Sequence, residues 1–392
     1  MKSTLIRNIN RFCICFSTIV RSKNIPCVTN KNIIIVFQQI FGDSVIIQDS
    51  LFEYTRIFPM SEGYHIKFLA RPSVLKFMKD NLILPEEIEY ESVDFKQFLE
   101  DYYYFKYIVK KYMNSASTLI VPGTSLSAEI FSTANNAVRK IGLIRCVDVK
   151  KPYTYALFYK LAYTEKVHPN KGDMMLQRHR LLLNHLGAKG YKAHIPTAIQ
   201  HEKVISDERY IVMSPGASKR EKCWPINRYA QVADYLIENY HMNIHLCGGS
   251  EEKTFEDELL SCSKNKNNII SHIGNTSFSD WSSIVQYADL VIGNDSATMH
   301  LAVAHRRNAI CIAGVYDKYQ FFPYKVDELE EGDILPTTIY KDMPCEYCRT
   351  IGYVAGYGNE ECQQRIKNDK CAFCIEKITV DEVIEKVKKL MG

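Results

Sequence analysis

The feature that most restricts what this chain can fold into is a repeated alternation of two residue patterns. Short runs of β-branched and apolar residues lead into small polar turns, and these lead into stretches with helical periodicity. "NIIIVF" (32–37), "YHIKFLA" (64–70) and "STLIVPG" (117–123) are runs of the first kind. The stretch that turns helical at Gly42, "SVIIQDSLFEYTRIFP", and "SLSAEIFSTANNAVRK" (125–140) are of the second. Continuous apolar runs predict strands buried on both faces, as in a parallel sheet covered by helices. The alternation restarts near residue 205 with "RYIVMSPGAS" and the helix "WPINRYAQVADYLIENY", which has Pro225 near its first turn. It continues through "MNIHLCGGSEE", the helix "SDWSSIVQYA", "DLVIGND", the helix "SATMHLAVAH" and "NAICIAGVY". The fold class this implies is α/β: two Rossmann-like domains in series, with a cleft between them.

A length of 392 residues agrees with two domains on the soft prior of ~100–200 residues each. The expected organisation is an N-terminal extension over 1–31, a first domain over 32–204 and a second over 205–340. A Cys-rich segment over 341–376 and a C-terminal helix over 377–392 complete it. With 46% hydrophobic and 24% charged residues, a large core can be buried. A formal net charge of +4 lacks the concentrated excess of a dedicated nucleic-acid binder, so no nucleic-acid partner is expected.

In the extension, Lys2, Arg7 and Arg11 precede the apolar run "FCICFSTIV" (12–20), and Arg21 and Lys23 follow it. That run is far below the ~20 residues needed to span a bilayer, and no small-x-small cleavage site follows it. Three readings stand: a loosely packed extension, an amphipathic segment on a membrane surface, and a signal peptide. The helical, aromatic-rich stretch "DYYYFKYIVKKYM" (101–113) is expected to be packing surface.

Three strand-end loops of the second half, "SPGASKREKCWP", "CGGSEE" and "GNDSATMH", combine small residues with a mobile cation, Lys222. Backbone N–H groups at such turns and at the following helix N-terminus suit the phosphate oxygens of a diphosphate. Taken singly, each loop is routine turn chemistry. Neither GxGxxG nor GxxxxGK[ST] occurs.

"IVFQQIFGDSVIIQD" (35–49), "IVMSPGASKREKCWPINRYAQVADYL" (211–236) and "YADLVIGNDSATMHLAVAH" (287–305) resemble, in order and spacing, the heptosyltransferases, glycosyltransferase family 9. The resemblance runs from about residue 32 to 325 and implies a GT-B fold, with the nucleotide-sugar donor held mainly by the second domain. It implies an inverting glycosyltransferase that needs no catalytic metal or cofactor. Such an enzyme moves a heptose-like sugar from a nucleoside-diphosphate donor, often ADP-linked, to a lipopolysaccharide or other cell-surface glycan. The implied partners are that donor, a glycolipid or glycan acceptor, and a peripheral contact with the inner membrane surface. The implied location is cytoplasmic.

Carried over residue by residue, Asp43 resembles the general base, with a helix N-cap as its rival reading. Lys222 resembles the lysine that contacts the donor's phosphate and sugar. Ser214, Gly216, Ala217 and Ser218 would line the phosphate pocket, and Asp295, Ser296, Ala297 and His300 would form the second wall. Ala297 stands where many relatives have glycine, and His300 can equally be a core or capping histidine. Glu251 or Glu252 would hold the ribose, the alignment being ambiguous by one position.

The 13 cysteines are unevenly placed, with five clustered near the C-terminal end. "CEYC" (345–348) and "CAFC" (371–374) form two CxxC knuckles with Cys362 between, and Cys345, Cys348, Cys371 and Cys374 suit a structural zinc. An iron–sulfur cluster, and reduced or disulfide-paired thiols, are the other readings. An odd cysteine count with CxxC spacing reads as a reduced compartment. The alternative function is a zinc-ribbon-bearing Rossmann-like binding protein without transferase activity.

Overall fold

The computed structural model describes residues 10, 12–18, 20, 30–144, 153–170, 172–206, 209–315, 320–343, 360–368 and 370–392. The chain forms two compact units: one comprises Met1–Lys79, Leu84–Lys171 and Arg178–Ala193, the other Asp80–Ile83, Gly172–Gln177 and His194–Gly392. The short pieces of the second unit are held there by backbone bonds. Leu82 bridges Ala198, and the Ile199 N–H donates to the Asn81 carbonyl at 2.8 Å.

The first unit is built on six parallel strands: β1 (Asn32–Val36), β2 (His65–Ala70), β3 (Ile88–Ser92), β4 (Thr118–Val121), β5 (Arg139–Leu143) and β6 (Glu165–Val167). Their order is β3-β2-β1-β4-β5-β6. The second unit repeats the plan with β7 (Tyr210–Ser214), β8 (Asn243–Leu246), β9 (Ile269–Ser271), β10 (Leu290–Asn294), β11 (Ala309–Ile312) and β12 (Thr337–Ile339), in the order β12-β11-β10-β7-β8-β9. Counted from the first strand of each unit, both sheets have the doubly wound order 3-2-1-4-5-6. Each therefore has one point where the winding reverses: between β1 and β4, and between β7 and β10. In open parallel sheets, ligands bind just outside the strand C-termini at that point.

The central strands are buried on both faces, as their β-branched composition requires: Ile35 and Val36, and Val291 and Ile292, have no exposed surface. The helix Tyr102–Tyr112 buries Phe105, Ile108, Val109 and Tyr112, as the aromatic packing surface was expected to. One expected helix is too long. "SLSAEIFSTANNAVRK" stays helical only over Leu126–Thr133, because the Asn135 side chain takes up the turn, donating to the Tyr112 carbonyl at 2.8 Å and accepting from the Ala137 N–H at 2.8 Å. Its last residues become β5 instead.

The C-terminal helix Val380–Met391 starts in a capping box made by Thr379 and Glu382. Its Val383 and Val387 are fully buried in the second unit's core, beside Ile375 and Ile378. No helix among the described residues is long and apolar enough to cross a membrane.

Candidate active site

The switch point of the second sheet gathers most of the sequence-predicted donor residues. β10 ends in Gly293 and Asn294 against the end of β7. A β-carbon at Gly293 would come within 2.8 Å of the Ser214 carbonyl oxygen, so this close approach of backbones requires glycine. Asn294, fully buried, spends its amide on both loops. Its Nδ2 donates to the Pro215 carbonyl at 2.5 Å, and its Oδ1 accepts from the Trp224 N–H at 2.9 Å. The loop after β7 is thereby fixed against the turn after β10. Ser214 Oγ lies 2.9 Å from Thr298 Oγ1, a second tie between the same segments.

Lys222 closes a single 3-10 turn, Arg220–Lys222, and its Nζ lies 3.9 Å from Asp295 Oδ2. His300 Nε2 lies 3.9 Å from the other carboxylate oxygen of Asp295. Burial holds the His300 imidazole down to about 3, so it is neutral near pH 7 and Lys222 is the cationic neighbour of Asp295. The ring belongs to an aromatic nest: Nδ1 lies 2.7 Å from the Tyr324 hydroxyl, and the face stacks on Phe322 with centroids 4.8 Å apart. His300 therefore meets the site through Asp295, from the core side.

The helix Ala297–Ala304 begins after an extended Ser296 whose side chain makes no capping bond. Among the described residues, the buried Ser296 hydroxyl has no hydrogen-bond partner. The first-turn N–H groups are thus uncapped by side chains and carry the positive end of the helix dipole, a standing anion site. Gly216 is buried, Ala217 half-buried and Ser218 exposed along the facing loop.

Sequence favoured Glu251 for the ribose, with Glu252 as the alternative one position on, and their surroundings favour the alternative. Glu251 is exposed, whereas the Glu252 carboxylate fills the space that β-carbons at Gly216 and Gly248 would need. Burial, with the Glu251 charge beside it, pushes the Glu252 carboxyl up to about 7. It is the acidic group that reaches the ends of both β7 and β8.

In the first unit, Asp43 occupies the third position of the helix Phe41–Ile57, whose N-cap is Ile40 and has no capping side chain. Asp43 is therefore not the cap; its charge lies in the first turn, where the helix dipole favours it. At the same sheet end, Gln38 Oε1 accepts from Ser125 Oγ at 2.6 Å and from Ser127 Oγ, tying β1 to β4.

Cys371 and Cys374 are buried with Cys362 in the second unit's core, around the short helix Phe373–Glu376. Cys345 and Cys348, the other half of the expected zinc site, lie outside the described residues. Among the described residues, no group of three or more His, Cys, Asp or Glu is placed to hold a metal ion. The 371–378 segment braces the Lys222 loop. The Ala372 N–H donates to the Glu221 carbonyl at 2.9 Å, Trp224 Nε1 to the Ile378 carbonyl at 2.9 Å, and Arg228 Nη1 to the carbonyls of Glu376 and Ile378. Sequence reasoning missed this brace, along with Asn294 and Tyr324 as supports. The signals available were only the lone Trp-Pro step and a buried-type amide closing an apolar strand.

Comparison with known proteins agrees with this architecture. Residues 143–346 match the model of glycosyltransferase family 9 (heptosyltransferase). Lipopolysaccharide heptosyltransferase 3 of Escherichia coli K12 is 29% identical over 118 residues, 30% of this chain and 34% of that protein. The chain spans between 33% and 58% of the length of the curated relatives it matches. Among solved structures, the ADP-heptose LPS heptosyltransferase II of E. coli superposes with a TM-score of 0.63 at 16% identity, covering 92% of this chain and 98% of that one. A family 9 glycosyltransferase from Veillonella parvula gives a TM-score of 0.64 at 15% identity, covering 94% and 99%. With the family model matched over just over half of its length and the same pair of six-stranded parallel sheets, the chain belongs to glycosyltransferase family 9, the heptosyltransferases, and has the GT-B type of α/β fold.

Proposed function

We propose that this chain transfers a heptose-like sugar from a nucleoside-diphosphate donor, ADP-linked by analogy with the relative named for ADP-heptose, to a lipopolysaccharide or other cell-surface glycan. The observation that carries this reading is the convergence of Lys222, Asp295 and the uncapped N-terminus of helix Ala297–Ala304 on one switch point, with Glu252 at its edge. A diphosphate needs two kinds of support, a cation and fixed N–H donors, and both are present. Glu252 is the ribose-binding carboxylate of this proposal in preference to Glu251, because it is the one tucked between the glycine turns. Ser214, Gly216, Ala217 and Ser218 line the phosphate side, and Ser296 and Ala297 the opposite side. His300 orients Asp295.

The reaction is an inverting, in-line displacement at the anomeric carbon. Asp43 takes the acceptor hydroxyl proton as the new glycosidic bond forms. Lys222 and the helix N–H groups take the charge that develops on the departing nucleoside diphosphate, so the leaving group is stabilised by the chain's own residues. The acceptor is a glycolipid at the cytoplasmic face of the inner membrane.

Zinc on Cys345, Cys348, Cys371 and Cys374 is a separate, structural part of the proposal. Cys371 and Cys374 suit it as two buried thiols, one just before and one within the short helix Phe373–Glu376. A bound zinc would lock the 371–378 brace, and elemental analysis for zinc and iron under reducing conditions tests it. One metal per chain supports the site; metal-free protein with all five clustered thiols reactive rejects it.

The donor reading is tested by thermal shift with ADP-, GDP-, UDP- and CMP-linked sugars. Stabilisation by the ADP-linked sugar above the other three is the expected result, and no stabilisation by any of them overturns the proposal.

A further inference from the structure

The run at 12–20 is not absorbed by the transferase chemistry, and in the structure it makes a specific surface. Residues 12–18 are helical and seated on the first unit. Ile14 is buried in the same core as Phe105 and Ile108, the Asn10 side chain donates to the Glu100 carbonyl at 2.8 Å, and Ser17 Oγ lies 3.0 Å from the Tyr102 hydroxyl. Seating that face turns Phe12, Phe16 and Val20, spaced four residues apart, outward; Phe12 is 71% exposed and stacks on Phe16 with centroids 6.4 Å apart. The neighbouring helix Tyr102–Tyr112 behaves in the same way. Its inner face is apolar, and its outer face presents Tyr103 (83% exposed), Lys106, Tyr107 and Lys110.

Exposing two phenylalanines and two tyrosines to water on adjacent helices needs a partner. The chemistry of that partner is set by what accompanies the rings. Helix Tyr102–Tyr112 carries no acidic residue, and the exposed Lys106 has its Nζ over the Tyr102 ring at 5.7 Å. Of the acids near this face, Asp94 and Asp101 accept backbone N–H groups as helix caps, Glu91 pairs with Lys67 and Lys111, and Glu100, whose carbonyl accepts from Asn10, is half-buried. Aromatic rings that insert at headgroup depth, beside cations that remain in the headgroup layer, are the pattern of an interfacial membrane contact. We infer that this aromatic and basic face of the first unit docks on an anionic bilayer surface. The inference deepens the proposed function, on which it rests only for the lipid-borne acceptor; the docking itself does not depend on which sugar is moved.

The test is flotation of the full-length protein with vesicles of phosphatidylcholine alone and of phosphatidylcholine with phosphatidylglycerol. Binding to the anionic vesicles, weakened by added salt, is expected. Phe12→Ser with Phe16→Ser, and separately Lys106→Glu with Lys110→Glu, should each reduce it by about tenfold or more, whereas Phe12→Leu with Phe16→Leu should retain it. Because all these side chains are exposed, nucleotide-sugar stabilisation in a thermal shift should be the same in every variant. That readout separates failure of the docking face from failure of the donor reading. Equal vesicle binding by the Ser and Glu variants overturns the inference. So does sedimentation showing a dimer that Phe12→Ser with Phe16→Ser dissociates, with no affinity for vesicles, since the face would then join two copies of the chain.

Discussion

The two sheets have the same strand order, and at the winding reversal of each an amide side chain ties the two loops together. In the second unit Asn294 joins the loops after β10 and β7; in the first, Gln38 joins those after β1 and β4. The difference lies in how completely each amide is used. Asn294 both accepts and donates, whereas the buried Nε2 of Gln38 has no hydrogen-bond partner among the described residues. The hydroxyl of Thr124, in the same loop region, has none either. The second switch point is a frame, held through both ends of the Asn294 amide, around a cation, a carboxylate and a helix N-terminus. The first leaves polar groups open, with Asp43 in the first turn of the helix after β1 and the buried Glu129 in the first turn of the helix after β4. The comparison teaches that one scaffold can bond the amide at its switch point completely in one copy and leave it partly unused in the other, with loop residues alone deciding which.

The largest test of that contrast is Asp43→Asn. If the first switch point supplies the base and the second holds the donor, transfer should fall by ~10² or more while the nucleotide sugar still raises the melting temperature as in the wild type. Near-normal turnover would leave Asp43 as a first-turn acid that merely favours its helix. Next is Lys222→Ala, which should weaken nucleoside-diphosphate binding by roughly tenfold or more, with little change for the nucleoside, because one charge-assisted contact to phosphate is worth about 1.5–3 kcal/mol. Calorimetric titration with both ligands reads the difference, and equal losses would remove the lysine from the phosphate site.

The frames themselves can be compared by Asn294→Ala and Gln38→Ala. The former leaves a buried N–H and a buried carbonyl unpaired and should cost about 2–4 kcal/mol. The latter removes hydroxyl contacts around an amide already half unused and should cost about 1 kcal/mol. Denaturant titrations of the two variants giving equal losses would mean that the frames are equally rigid.

The smallest effect concerns pH. The folded Glu252 carboxyl, lifted to about 7, keeps its proton where the unfolded chain has lost it. Its contribution to stability is therefore complete below the ordinary carboxylate value of 4.5 and is lost as pH rises through about 7. Glu252→Gln should gain on the wild type in melting temperature from about pH 5 to about pH 8. His300 and His305, held neutral near 3 by burial, work in the other direction, destabilising the fold as pH falls below the ordinary histidine range. Comparing the variant with the wild type at each pH cancels their common effect. A constant difference across that range would mean that Glu252 is not buried as described.

Much of this was legible in the sequence because it is local. A strand buried on both faces must be apolar throughout, so β1, β7 and β10 announced themselves. The turn after β10 was readable because a helix N-terminus needs small polar residues. Short edge strands such as β3 and β6 were hidden, since a half-exposed strand mixes Glu, Lys and Tyr with its apolar residues. The end of helix Leu126–Thr133 was misjudged because an Asn-Asn pair is weakly helix-permissive, and only the Tyr112 carbonyl decides that Asn135 turns.

The sequence by itself determined the two α/β series and their strand-end loops, because periodicity and turn chemistry act over a few neighbouring residues; Asp43, Lys222 and Asp295 stood out in those loops only through the resemblance to the family. Only the tertiary structure decided which of Glu251 and Glu252 lies between Gly216 and Gly248, that His300 is a neutral core imidazole behind Asp295, and that residues 371–378 brace a loop some 150 positions earlier. Each of these depends on burial or on a hydrogen bond between distant segments. A carboxylate, an imidazole or a tryptophan N–H acquires its role from what the fold places within about 3–4 Å of it, and no spacing along the chain encodes that.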